Sequence, residues 1–298
     1  MSLATARHKK TKPEKRDLLS KLQDIPTLPI VAVRVNELLN DPHSSSSEIA
    51  DVLKKDQVLT AKVLRLVNSS YYAIPGGVTD VQRALAFLGF NTLAQLILGL
   101  SVMSMFSNLD GEEISMMEFW KHALATAVAA ELLAKRISYP KPEEAFTCGL
   151  LHDIGKLVLH ELDQELLAKI ARTARERGCS FVEVEREMDV HGHAYLGDMV
   201  ATRWGLPQII RLAIRYHHFD VTKMDSILSS AKPLIHMVRI ANLIAVKKQI
   251  GRSGDYSAGV ILPDMCKPLG LSLADIIEIE EQMEGEMEKA GSFLNASR

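Results

Sequence analysis

The sequence predicts an all-α protein, an irregular multi-helix bundle, and three observations carry that expectation. Apolar residues make up 47% of the 298, enough for a large core, while aromatics are only 5%. Long stretches are built from Leu, Ala, Val and Met at helical spacing, with no convincing strand alternation. Capping residues and terminal glycines punctuate those stretches, and no repeat recurs at a fixed period.

Residues 1–21 form a basic tail in which Arg7, Lys9, Lys10, Lys12, Lys15 and Arg16 crowd together. It reads as a flexible, solubilising segment. Residues 22–108 read as an N-terminal helical subdomain. In SSSSEIADVLKKD, Ser45 and Glu48 make a capping box ahead of Ile49, Val52 and Leu53. DQVLTAKVLRLVNSS places Leu59, Val63, Leu66 and Val67 on one stripe. IPGG at 74–77 is a turn, and TDVQRALAFLG starts on a capping Thr79 and stops at Gly89. Asn91 then caps LAQLILGLSVMSMF at 93–106. That run is too short to span a bilayer and contains Gln95 and Gly99, so it predicts a buried helix.

NLDGEEIS at 108–115 is a polar break, and residues 109–251 read as a second helical subdomain. A long helix is expected from about Ser115 to Ile137, ended by SYPKP, and the next helix carries GLLHDIGKLVLH. LDQELLAKIARTARERG ends at Gly178 and HAYLGDMVATRWG at Gly205, with Pro207 suited to the first turn of its successor. AKPLIHMVRIANLIAVKKQIG ends at Gly251. The remainder, 252–298, begins loop-like up to 271. It closes with LSLADIIEIEEQMEGEMEKA, an acidic amphipathic helix expected to pack back on the bundle.

The formal net charge of -2 argues against a dedicated nucleic-acid binder. Cys148, Cys179 and Cys266 have no CxxC spacing and suit free thiols in a reducing cytoplasm. With no signal peptide and no membrane span, a cytoplasmic protein is expected.

The chemistry-bearing residues are polar groups on otherwise apolar helices. Glu118 and His122 are four apart and share a face. His152 and Asp153 are adjacent, Lys156 is one turn on, and His193 opens a helix with Gly197 four residues later. His217 and His218 end another helix, and Asn242 sits inside RIANLIA. Imidazole and carboxylate suit Zn, Mn, Fe or Ni better than Ca or Mg. A shared Asp153 can neutralise one ion or bridge two, and paired ions can activate water and clamp a phosphate. In an active site Asp153 and Lys156 would be the catalytic pair, with Lys156 stabilising charge on a phosphoryl oxygen. The plainer alternative is an Asp153–Lys156 ion pair on one helix, because a buried carboxylate needs some partner.

The order His122, His152–Asp153, position 242 resembles the ligand order of the HD phosphohydrolase superfamily. HDIGK, H-x-x-x-G at 193–197 and YHH at 216–218 resemble its HD-GYP branch, which hydrolyses cyclic dinucleotides at a two- or three-metal site. That likeness implies Glu118, His122, His152, Asp153, His193, His217 and His218 as ligands. A wider likeness, over roughly residues 22–250, is to the HDOD family of bacterial signalling output domains. IPTLPIVAVRVNELLNDP, EIADVLKKDQVLTAKVLRLVNSSYY, VQRALAFLGFNTLAQLILGLSV, EEAFTCGLLHDIGKLVLH and HAYLGDMVATRWGLP carry it. The resemblance implies a regulatory module without general catalytic activity. Two departures from the HD hydrolases point the same way. Asn242 stands where they carry a metal-binding aspartate, and FDVTKMDS after YHH lacks the glycine-rich GYP stretch. The expectation is therefore a signal-transduction module that retains a metal site of one or two ions and works with a signalling protein partner. The alternative is a metal-dependent phosphohydrolase acting on a nucleotide or cyclic dinucleotide. A small phosphorylated ligand fits either reading.

Overall fold

The computed structural model describes residues 15–41, 43–106, 113–257 and 259–296. The basic residues from Arg7 to Lys12 and most of the polar break at 108–115 lie outside the described residues. The chain is helical throughout, with no strand among the described residues, so the all-α expectation holds.

Helix α1 (Lys15–Lys21) leads into α2 (Ile30–Asn40), α3 (Ser46–Leu53) and α4 (Gln57–Val67). These last three pack on α5 (Val81–Met105). The capping box at α3 forms as its sequence requires, the Ser45 amide donating to the Glu48 carboxylate at 2.9 Å. At α5 the cap is Asp80 rather than Thr79: its carboxylate accepts from the Arg83 amide at 2.8 Å, and the Thr79 hydroxyl donates to it. Gly89 breaks α5 with φ 76° and ψ 171°, a conformation open to glycine. It alone leaves the helical region, so Asn91 lies inside the second segment instead of capping it. Taken end to end, α5 is long and apolar enough to cross a membrane, but 56% of its apolar window is buried inside the protein.

The second half is built around α6 (Met116–Arg136), which packs along α7 (Pro142–Leu151) and α13 (Lys232–Lys247). Gly149 allows the α6–α7 approach, since a Cβ there would lie 2.7 Å from the Ala127 Cα. The chain continues through α8 (Ile154–Leu162), α9 (Gln164–Arg177), α10 (Phe181–Met188), α11 (His193–Arg203) and α12 (Gln208–Tyr216). Pro207 is the residue before α12 rather than part of its first turn. Short α14 (Pro263–Cys266) interrupts the stretch read as loop. Then α15 (Leu273–Ala290) returns against α6, burying Ile276, Ile279 and Met283, and α16 (Ser292–Ala296) closes on α4.

The two halves share one hydrophobic core that runs from Leu18 to Phe293. Backbone groups tie them as well. The Trp204 indole donates to the Pro26 carbonyl at 3.0 Å, and the Asn36 amide donates to the Gly205 carbonyl at 2.7 Å. The α5–α7 contact continues that join, so α7 and the residues that follow it are held from both sides.

Candidate metal centre

His152 and Asp153 are not inside a helix. They form the junction between α7 and α8, with Asp153 at φ -98° and ψ 9°. Adjacent side chains on a continuous helix diverge by about 100°, and the break turns both inward instead. His152 is 0% and Asp153 1% exposed. His122 reaches them from the middle of α6, His193 from the first position of α11, and His217 and His218 from the end of α12. Gly155 and Gly197 bring α8 against α11: a Cβ on Gly155 would sit 1.8 Å from the His193 carbonyl oxygen.

Asp153 is the hub. Its Oδ1 lies 3.2 Å from His193 Nε2 and 3.5 Å from His217 Nε2. Its Oδ2 lies 3.4 Å from His152 Nε2, 3.9 Å from His122 Nε2 and 2.8 Å from Lys156 Nζ. Two sets of potential ligands result: Asp153 with His193, His217 and His218, and Asp153 with His122 and His152. The outer ring nitrogens are already engaged. His152 Nδ1 donates to the Gly149 carbonyl at 2.7 Å and His217 Nδ1 to the Ile214 carbonyl at 2.9 Å. His193 Nδ1 faces the Glu185 carboxylate at 2.9 Å. For His152 and His217 those bonds select the tautomer that leaves the Nε2 lone pair pointing inward, the arrangement that metal-binding histidines need.

The inward atoms lack partners within the protein. His122 Nε2, His152 Nε2, His217 Nε2, Asp153 Oδ1 and Asn242 Oδ1 are all buried without a hydrogen bond. One or two such groups are ordinary in a native interior, but Asp153 Oδ1 with three histidine nitrogens gathered about its carboxylate is costly unless an ion takes them. Burial pushes His122 down to about 3 and His217 down to about 4, and His218 well below the usual range. These rings are neutral and able to ligate. Burial would raise Asp153, but His152 and Lys156 outweigh it and hold it well below the carboxylate range. Burial would lower His193, but Glu185 and Asp153 overturn that and raise it to about 9. Once His193 gives up its proton to ligate, the buried charges are Asp153, Glu185 and Asp255 against Lys156, which leaves two negative charges. One dication balances them, which fits a transition metal held by nitrogen and carboxylate.

Of the residues singled out in the sequence, His122, His152, Asp153, His193, His217 and His218 come together. Asn242 is beside them, lining a 270 Å³ cavity that reaches His217 and His218. Lys156 is also there, but its ammonium is enclosed by Asp153, by Asp255 at 2.6 Å, by the Ser253 hydroxyl at 3.2 Å and by the Phe181 ring at 4.9 Å. The plain ion pair is thus present within the wider cluster. Glu118 joins neither ligand set; its contribution is a backbone carbonyl that accepts from the Arg252 amide at 2.8 Å.

Sequence reasoning missed Glu185, Ser253 and Asp255. FVEVEREM looks like a solvated acidic helix, yet Glu185 is buried beneath His193, accepting from its backbone amide at 2.6 Å. Asp255 lies in a stretch read as loop. Gly251 brings that stretch in: at φ +68° it passes so close to α6 that a Cβ would meet the His122 amide nitrogen at 2.2 Å. The terminal glycine was legible, but the inward course of the chain after it was not.

The fold and site define a helical protein with a buried His/Asp cluster at the junction of two helices. The HDOD domain model matches residues 25–219. The chain belongs to the HDOD domain family. Among solved structures, it resembles an HDOD domain protein of Geobacter sulfurreducens, with a TM-score of 0.73 and 24% identity over 91% of this chain and 96% of that one. It also resembles a Shewanella amazonensis protein described as "Putative phosphohydrolase", with a TM-score of 0.71 and 26% identity over 93% of this chain and 98% of that one. Among curated proteins, an uncharacterized protein of Treponema pallidum is 27% identical over 227 residues, covering 76% of this chain. The chain spans 43% of that relative and 31% of a Bacillus subtilis relative, less than half the length of each.

Proposed function

We propose that the chain is a regulatory HDOD module whose HD-like half, residues 109–251, holds a transition-metal centre of one or two ions, and that the centre fixes helix packing rather than hydrolysing a substrate. The ring of partnerless buried atoms around Asp153 carries this reading. His122, His152, Asp153, His193, His217 and His218 would hold the metal, with the amide oxygen of Asn242 as a weaker neighbour. Zn, Mn, Fe and Ni suit the donor set. Such an ion would supply cross-linking of α6, α8, α11 and α12, which stabilises the fold by its own binding. Lys156 supports the non-catalytic reading, because two carboxylates and a hydroxyl already take its donors. The free cysteines suit a reducing cytoplasm, and the output would pass to a signalling protein partner through the helical surface.

Elemental analysis of the purified chain tests the metal: at least one ion per chain is expected, and His152→Ala should lose it. Activity is tested with cyclic dinucleotides and (p)ppGpp in added Mn or Fe. No turnover is expected, and hydrolysis that His152→Ala abolishes would sink the regulatory reading. One observation favours a second reading, a metal-dependent phosphohydrolase acting on a nucleotide or cyclic dinucleotide. Asp153 is shared by both ligand sets, as a bridge between two ions would be, and a cavity opens beside His217 and His218.

A further inference from the structure

A second cavity adjoins the centre, meeting it at His218. Its volume is 440 Å³, within the range of small-molecule sites. Val190, Tyr216, Phe219 and Met224 give it largely apolar walls, and Phe219 is 42% exposed. Two guanidinium groups, from Arg186 and Arg215, stand at those walls. Arg215 lies over the Tyr195 ring at 4.3 Å, and Tyr195 stacks in turn on His191 at 5.1 Å. The planar fork is therefore fixed in advance, which lowers the ordering cost of binding. Arg215 Nη1 is buried with no hydrogen-bond acceptor, and among the described residues no carboxylate pairs with Arg215. A buried charged donor without an acceptor is unfavourable and calls for an anion. Arg186 adds a second positive charge over the Phe219 ring, at 5.9 Å.

We infer that this cavity binds a small planar aromatic anion, its ring against Phe219 and Tyr216 and its acid group on the Arg215 guanidinium. The metal plays no part in that contact. The ligand would nevertheless touch Glu185 and His218, which line the cavity and hold His193 from two sides. The pocket thus adjoins the centre and shares only His218 with it among the described residues.

An aromatic carboxylate and a mononucleotide both carry this chemistry. Calorimetric titration of the full chain with 2-naphthoate and guanosine monophosphate, beside neutral 2-naphthamide and guanosine, separates them. At least one acid should bind, its neutral partner at least about tenfold more weakly, as expected when a charge-assisted hydrogen bond is lost. Arg215→Met, which keeps the apolar stem, should weaken the acid by a similar factor and leave the neutral compound within about twofold. Whichever acid binds assigns the ligand class. Binding of neither acid, equal affinity for acid and neutral partner, or an acid affinity unmoved by Arg215→Met would overturn the inference. If Arg215→Met does not fold, the acid-to-neutral ratio on the unaltered chain decides.

Discussion

The two halves of the molecule bury polar groups in different ways. In the first half Asn36, Gln95 and Ser101 are the buried polar side chains among α2 and α5. Asn36 and Ser101 are satisfied by backbone carbonyls, Ser101 donating to Ile97 O at 2.7 Å. The second half buries Asp153, Glu185 and Lys156 with six histidines, and several of their atoms find no partner within the protein. The contrast separates stability from specificity. The first half is held by area and shape, so losses there should be graded. The second half depends on charges that balance only together, so losing one member leaves others stranded.

The largest expected effect tests that claim directly. Lys156→Met removes the ammonium that pairs with Asp153 and Asp255 and leaves two buried carboxylates without it. Breaking a buried pair in this way costs about 3–5 kcal/mol, read by urea denaturation of chelator-treated protein. A loss under about 1 kcal/mol would show that the cluster is hydrated and that the contrast is overstated. Leu98→Ala, at a fully buried position of α5, should cost about 3 kcal/mol by cavity formation. The folded variant should keep its metal content. A drop in bound metal would mean that the halves are coupled through α5 and α7.

Acid should act on the second half alone. His122 and His217 have folded-state values near 3 and 4, below the ordinary 6.5. A depressed histidine is neutral in the folded chain and takes its proton first in the unfolded one. Its contribution is therefore present above about 6.5 and is lost as pH falls toward 4. His193, raised to about 9, is charged in both states across that window and adds no slope there. The metal-free chain should lose on the order of 1–3 kcal/mol per pH unit below 6.5. A flat profile between pH 6.5 and 4.5 would contradict neutral buried rings.

The comparison also explains what the sequence made visible. Helix periodicity and terminal glycines are local signals, so Gly178 and Gly205 ended elements where expected and Gly89 broke α5 there, each with positive φ. The histidines stood out because they interrupt apolar faces. Glu185 and Asp255 did not stand out, since an acidic residue on a mixed helix or a loop is ordinary until tertiary packing encloses it. Glu118 misled for the opposite reason: its spacing from His122 is right, but it joins neither ligand set, and its backbone carbonyl is taken by the passing Arg252 amide. Convergence of α6, α8, α11 and α12 is a long-range property that no window of sequence contains.

The smallest effect sharpens the contrast from the other side. The capping box at α3 is readable from four consecutive residues and rests on one short network: the Ser45 amide and hydroxyl both donate to Glu48, at 2.9 and 3.0 Å. Ser45 is exposed and far in sequence from every residue around Asp153, so Ser45→Ala should remove only the local term. That is about 1 kcal/mol, with bound metal and the acid slope both unchanged. Were this substitution to alter either of those, the first half would be more than a scaffold, because a signal from α3 would have crossed the shared core to reach the histidines.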